Sequence, residues 1–447
     1  MSETTMEDCT ESDLYNAMNA DDLETFRDLL AKGGNVDEFY YNFTTNDGVS
    51  LLHLACEKGR LDCVRLIVDG NATMNVADRC GRTPLMYALA AQKTDVAEIL
   101  LKKDQDLVND EDVDGYTALD LAAIDGNTQG IRLLVQYGAN VNHCTFDGVT
   151  PIMRCIKEGM MKNPSSVLWA LIEGGADVNI KDKKCRRSAL QMATIKKDVS
   201  AVEVLLAAGA DMYSLDCGAK TPLTNMMLQH VRMRNGAIFV HEDVWMIMVL
   251  MVHAGIDYSY SVCEDADPML TAALLKAECL IRFFLDNGAN PDKQTVLGVT
   301  PLLKATSKND LPSVRTLIEW NCKLDLQGQF YWRRDDFEYT VDPFELAIML
   351  GYLNIARLLV EAGYQHYQKP YVFDKAPLPR SLQENPDMLE WLKEKCSIPE
   401  NLTTLAVYTL RRYIGRDIVS KVRNLPLPPK MRRMLVLKDL LGLDVEY

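Results

Sequence analysis

A short step recurs along most of this chain: Ser50-Leu51-Leu52, Thr83-Pro84-Leu85, Thr117-Ala118-Leu119, Thr150-Pro151-Ile152, Ser188-Ala189-Leu190, Thr221-Pro222-Leu223, Asp267-Pro268-Met269, Thr300-Pro301-Leu302 and Asp342-Pro343-Phe344. Successive copies lie 33, 34, 33, 38, 33, 46, 33 and 42 residues apart. A period of that length constrains the fold severely, because each copy is one supersecondary unit that can bury its apolar face only against its neighbours. The step itself reads as a helix start. Ser, Thr or Asp accepts hydrogen bonds from the free amides of the first turn, and Pro at the first helical position gives up no hydrogen bond. About twenty residues later come Gly138-Ala139-Asn140, Gly175-Ala176-Asp177, Gly209-Ala210-Asp211 and Gly288-Ala289-Asn290, where glycine can end a second helix in the left-handed region. Between the two signals run apolar stripes such as Ile131, Leu133, Leu134, Val135 and Val202, Val204, Leu205, Leu206. Each unit therefore reads as helix, turn, helix, hairpin.

Motif, period and helix ends agree in register, and together they resemble the ankyrin repeat over residues 12–365, with a degenerate first copy beginning near Ser12 and about ten units in all. The expected fold class is all-α: an ankyrin-repeat solenoid of helix-turn-helix units joined by β-hairpin loops. The three long spacings predict insertions near residues 157–165, 229–243 and 326–340, emerging as loops on one surface. Residues 1–11 read as an acidic tail, and residues 366–397 as a proline-bearing linker followed by a helix, Pro386 to Leu392, expected to cap the last repeat.

Residues 398–447 carry a different pattern. Leu402, Leu405, Ala406, Leu410 and Ile414 fall on one face of a helix that Gly415 would end, and Leu425-Pro426-Leu427-Pro428 follows. This segment resembles a SOCS box, a small three-helix adaptor-docking module. In that resemblance Leu402, Leu405, Ala406 and Leu410 form the Elongin C binding face, with Leu402 the main anchor and Ala406 the small residue at close approach. Leu425, Pro426, Leu427 and Pro428 form the motif that engages cullin-5. Asn401 stands where the family usually has Ser, Thr or Pro, and Ala406 where it commonly has Cys; both bear on affinity, by about 1 kcal/mol. Array plus box resembles the ankyrin-repeat and SOCS-box family over essentially the whole chain. The resemblance implies a substrate receptor of a cullin-RING ubiquitin ligase: the array holds a target protein, and the box recruits Elongin B, Elongin C and cullin-5 with its RING partner. A pure ankyrin scaffold, or an Elongin-binding decoy without ligase activity, is the alternative.

Charge excludes one class of partner. The net charge is −15, and residues 401–447 carry nine basic and four acidic side chains, so residues 1–400 carry −20 and repel nucleic-acid phosphates. Residues 1–47, with twelve acidic and two basic side chains, read as a solvated cap. The longest apolar run, Val244 to Val252, is far short of the roughly 20 residues a membrane span needs, and the acidic start predicts neither a signal nor a transit peptide. The twelve cysteines form no Cys-x-x-Cys pair; Cys56 and Cys279 sit among apolar helix residues and read as reduced, buried thiols. A cytoplasmic location is expected, the nucleus being the other.

No catalytic constellation, cofactor or metal site emerges, and the chain is read as a non-enzyme. Gly218-Ala219-Lys220-Thr221 resembles the end of a phosphate-binding loop but has Ala219 where glycine must precede the lysine. His53 reads as a turn histidine that satisfies backbone groups. Two segments are candidate target-binding surfaces. Lys181, Lys183, Lys184, Arg186 and Arg187, joined by Lys196 and Lys197, make a basic patch on an acidic body, suited to an acidic peptide or merely solvated. Residues 329–339, with Phe330, Tyr331, Trp332, Arg333 and Arg334, hold the aromatic and arginine side chains that dominate interface hot spots, unless they pack back onto the solenoid. Asn142 and Asn179 occupy hairpin positions of the type that some ankyrin proteins hydroxylate.

Overall fold

At Ser50 the backbone is extended, its hydroxyl accepts from the His53 amide, and His53 returns the bond by accepting at Nδ1 from the Ser50 amide. Thr117 with Asp120, Ser188 with Gln191, Thr221 with Thr224 and Asp342 with Glu345 build the same reciprocal box. The recurrent step is thus a helix start, as its chemistry requires. Thr83 and Thr150 depart from the expectation: both hydroxyls are buried without a partner among the described residues. The residues three positions on, Met86 and Met153, have no polar group with which to complete a box.

The computed structural model describes residues 11–32, 34–37, 39–42, 47–158, 165–234, 237–258, 266–332, 337–365, 369 and 377–397. The chain divides into two compact units, Met1–Gly218 and Ala219–Tyr447. The first contains six helix pairs: α1 (Glu11–Ala20) with α2 (Leu23–Ala31), α3 (Leu51–Lys58) with α4 (Leu61–Asp69), α5 (Pro84–Ala90) with α6 (Thr94–Lys103), α7 (Ala118–Ile124) with α8 (Thr128–Gln136), α9 (Pro151–Glu158) with α10 (Ser165–Glu173), and α11 (Ala189–Lys196) with α12 (Val199–Ala207). The second contains four: α13 (Pro222–His230) with α14 (Glu242–His253), α15 (Pro268–Leu274) with α16 (Glu278–Asp286), α17 (Pro301–Ser307) with α18 (Leu311–Glu319), and α19 (Pro343–Leu350) with α20 (Leu353–Glu361). The all-α solenoid of about ten units is therefore what forms.

Within each unit the first helices stack on first helices and the second on second, α3 on α5 on α7 on α9 and α4 on α6 on α8 on α10. The core lies between these layers. Leu52, Leu85, Leu119 and Leu190, each two positions after its cap, are all buried, as are Ile67, Leu100, Leu134, Leu171 and Leu205 of the second helices. Burying each such side chain is worth about 1.5–3 kcal/mol. Left-handed Gly138, Gly175, Gly209 and Gly288 follow the second helices. The acidic N-terminal segment is more than a solvated cap: within it α1 and α2 bury Leu14, Met18 and Phe26.

The insertions do not share one surface. The hairpin β3 (Arg232–Arg234) with β4 (Ala237–Phe239) falls between the first and second helix of a pair, while residues 159–164 lie outside the described residues. The hairpin β5 (Gly328–Trp332) with β6 (Phe337–Val341) instead lies between one pair and the next. Because paired helices run antiparallel, these two kinds of connection leave opposite ends of the pair. A further hairpin, β1 (Phe39–Asn42) with β2 (Asp47–Ser50), stands where no insertion was expected. After the last pair, α21 (Arg380–Gln383) buries Leu382, and α22 (Pro386–Ser397) buries Met388 and Leu392. Arg357 of α20 reaches α22 with Nε 3.4 Å from Met388 Sδ and its guanidinium over the Trp391 ring.

Candidate interaction surface

Within each unit tight turns join the helix pairs, most of them held by a buried side chain. Asp78 Oδ1 accepts from the amides of Cys80 at 2.9 Å and Arg82 at 2.8 Å. Asp112 does the same with Asp114 and Tyr116, and Asp182 with Cys185 and Arg187. Thr145 and Thr295 take this position in two turns, where the Thr295 hydroxyl accepts from the Val299 amide. The turns also bond to one another: Val113 N–H to Cys80 C=O, Lys183 N–H to Asp147 C=O and Cys217 N–H to Cys185 C=O, all at 2.8–2.9 Å. Gly81, at φ 78°, lies so close to its neighbour that a Cβ there would stand 2.8 Å from the Val113 nitrogen. The turns present apolar side chains to solvent: Val113 is 63% exposed and Phe146 73%.

Beside these turns, the first helices of Met1–Gly218 form a groove of about 560 Å³. Its lining comes from α3, α5, α7, α9 and the adjoining turns; no second helix contributes. Met86, Ala90, Leu121 and Ile124 make an apolar floor, Tyr87 and Tyr116 stand in it, and Glu57, Asp114, Asp125 and Glu158 rim it, with Arg82 the one basic side chain among the lining residues. Both phenols are fixed. Tyr87 donates to Asp78 Oδ2 at 2.8 Å, and Tyr116 accepts from Arg154 Nη1 at 2.9 Å while the Arg154 guanidinium lies 4.2 Å from its ring centre. Arg154, 5% exposed, also pairs with Glu158 at 2.7 Å. Burial and the surrounding carboxylates push both phenols up, Tyr87 through Asp78 and Glu57, Tyr116 through Glu158 and Asp114. Burial likewise raises Asp125, against the pull of Arg82. The groove is an apolar trough in a negative field.

The residues singled out from sequence fare differently. Of the basic patch, Lys181 Nζ donates to Leu215 C=O, Lys196 Nζ to Lys157 C=O, and Arg187 Nε lies 4.0 Å from Asp216. These contacts leave Lys183, Lys184 and Arg186 as exposed members without such a contact, Lys196 being exposed but bonded, so the patch is smaller than the composition suggested. In the β5–β6 hairpin both expected behaviours occur. Phe330 packs against the buried cluster of Leu270, Val299, Leu303, Val341 and Leu346, while Tyr331, next along the strand, is 53% exposed. Arg333 and Arg334 lie outside the described residues, as does the Trp332 side chain. So does the whole of 398–447, with Leu402, Leu405, Ala406, Leu410, Leu425, Pro426, Leu427 and Pro428.

His53 behaves as a turn histidine: Nδ1 accepts from Ser50, and Nε2, which therefore carries the proton, donates to Arg82 C=O at 2.9 Å. Burial holds its imidazole below the ordinary value. Asn142 and Asn179 accept at Oδ1 from the amides of Asp177 and Asp211 of the next turn. Cys56, Cys63, Cys155 and Cys322 are buried, with the Cys155 thiol pushed up to about 12 by burial. Cys144, Cys217 and Cys279 are exposed, which corrects the expectation for Cys279: it sits in the first turn of α16 on the outward side. Among the described residues no group of His, Cys, Asp and Glu could hold a metal ion, and no helix is long and apolar enough to cross a membrane.

The groove residues were missed in the sequence because they are unremarkable singly. Their signal is positional. Tyr87 and Leu121 each stand four residues after the helix cap, and Glu57, Ala90 and Ile124 seven after it.

The family model described as ankyrin repeats (3 copies) matches residues 14–110, 104–182 and 269–370, more than half of the chain. The chain belongs to the ankyrin-repeat family. It is similar to E3 ubiquitin-protein ligase KEG of Arabidopsis thaliana, 24% identical over 327 residues, which cover 71% of this chain and 20% of KEG. It is also similar to human Inversin, 32% identical over 184 residues, 40% of this chain and 17% of Inversin. Neurogenic locus notch homolog protein 1 of Xenopus tropicalis matches at 30% over 196 residues, 6% of its length. The ankyrin chain thus spans a fifth or less of these relatives. Ankyrin repeats place its role in protein interaction.

Proposed function

We propose that this ankyrin protein is the substrate-recognition subunit of a cullin-RING ubiquitin ligase. The array holds a target protein, the C-terminal segment recruits Elongin B, Elongin C and cullin-5 with its RING partner, and proximity brings target lysines to the conjugating enzyme. No residue of this chain performs the transfer; its contribution is effective concentration. The observation that carries the reading is a conjunction in the sequence: an interaction array followed by the stripe Leu402, Leu405, Ala406, Leu410 and then Leu425-Pro426-Leu427-Pro428. An amphipathic helix of that spacing suits a hydrophobic groove, and prolines pre-set an extended backbone, so ordering it on a partner costs less entropy. A mere cap on the solenoid has no use for the second motif. Such a complex would act in the cytoplasm or the nucleus. Target contacts outside the groove would come from Lys183, Lys184 and Arg186, or from Tyr331 and its hairpin.

Pulldown of wild type and of the double variant Leu402→Asp, Ala406→Phe against Elongin B, Elongin C and cullin-5 tests the reading. Retention by wild type and loss by the variant supports it. Retention of none by wild type leaves an interaction scaffold. Retention of the Elongins without cullin-5 leaves the decoy.

A further inference from the structure

The regular spacing of α3, α5, α7 and α9 makes the groove composite, so that four successive repeats each bring one or more residues to it. Its charges are unbalanced in use as well as in number. Arg154 is committed to Glu158 and Tyr116, and Arg82 Nε lies 3.8 Å from Asp112 Oδ2, outside the rim. The carboxylates of Glu57 and Asp114, by contrast, have neither an ion-pair nor a hydrogen-bond partner among the described residues. Both are exposed and line the groove together with Ala90, Leu121 and Ile124. An unpaired carboxylate beside an apolar trough suits a long cationic side chain, which lays its methylenes on apolar surface and keeps its head group at the charge. The Tyr87 ring adds a face on which such a cation is favoured, whereas Tyr116 already has the Arg154 guanidinium over its ring. An acidic segment would meet the same carboxylates as repulsion.

We infer that the groove takes an extended, basic segment of the target protein. Its lysine and arginine stems lie on Ala90, Leu121 and Ile124, with their head groups at Asp114 and Glu57. This inference rests on the reading of the array as the target-holding part, and it fixes the chemistry of what is held. It also assigns the opposite polarity from that of the Lys183, Lys184, Arg186 turn, so a target that engages both would be basic in the groove and acidic beyond it.

The test uses the full chain and a fluorescein-labelled peptide of alternating Lys/Arg and Ala/Leu, with a Glu-for-Lys/Arg counterpart, read by fluorescence anisotropy near physiological salt. Three proteins are compared: wild type, Glu57→Lys with Asp114→Lys, and Asp62→Lys with Glu173→Lys. The last pair, on α4 and α10, changes the net charge identically but away from the groove. The expected result is that wild type binds the basic peptide only, the groove pair weakens binding on the order of tenfold or more, and the control pair stays within about twofold. Equal weakening by both pairs, or no binding by wild type, overturns the inference. Elongin B and Elongin C co-purification on the same wild-type sample separates the two failures: it reports on the ligase reading and is indifferent to the groove.

Discussion

In Met1–Gly218 the first helices from α3 to α9 begin 33 or 34 residues apart, and their outward faces run together into one trough. In Ala219–Tyr447 the spacings of 46 and 42 residues place the β3–β4 and β5–β6 hairpins among the helices, and individuality is concentrated in those hairpins. The same helix pair thus makes two kinds of surface. Equal spacing adds small contributions from many repeats, none of them distinctive alone. An insertion gathers aromatic residues in one place, where a hairpin needs only local pairing and an anchor such as Phe330. A surface of the first kind tolerates loss of one contact; a surface of the second kind does not.

The largest expected effect is in the second unit. Phe284 is fully buried against Phe283 and Tyr258. Phe284→Ala should cost about 3–5 kcal/mol in urea unfolding, with amide protection lost first in α15 to α18, because repeats are stabilised by nearest neighbours. Protection lost equally in α3 to α9 would break the distinction between the units. A smaller effect belongs to the turns of the first unit. Asp112→Ala takes the acceptor from the part-buried Asp114 and Tyr116 amides and should cost about 1 kcal/mol, read as faster hydrogen exchange at those two amides.

His53 gives a pH dependence of definite sign. Burial depresses its folded-state pKa below the ordinary value of about 6.5. The unfolded chain therefore takes up a proton on acidification before the folded one does. The contribution is fully present above the unfolded pKa and is lost as pH falls from there through the folded value. Thermal unfolding of wild type between pH 7 and pH 5, roughly the range in which histidine titrates, should show a decline that His53→Asn makes shallower. The smallest effect is at Cys279, exposed on α16: Cys279→Ser should stay within about 0.5 kcal/mol of wild type.

Much of this fold was legible in the sequence because the period, the caps and the closing glycines are local chemistry repeated in register. Ser50, Thr117 and Thr221 cap where the pattern said they would. What was not legible depends on contacts between repeats. Thr83 and Thr150 build no reciprocal box because Met86 and Met153, which a motif scan treats as filler, carry no polar group. The groove was hidden because Tyr87 and Leu121 become neighbours only when repeats are stacked. The basic patch was over-read because carbonyl groups of adjacent segments, Leu215 and Lys157, consume two of its lysines.

Capture by the array and recruitment by the C-terminal segment should be separable, and one measurement decides whether they are. Size-exclusion co-elution of the full chain with Elongin B and Elongin C is compared for wild type, Glu57→Lys with Asp114→Lys, and Leu402→Asp with Ala406→Phe, each sample also titrated with the basic peptide. The groove pair should lose the peptide and keep the Elongins, and the C-terminal pair the reverse. Loss of both ligands by either variant, or no Elongin co-elution by wild type, would contradict a receptor built from two independent docking surfaces.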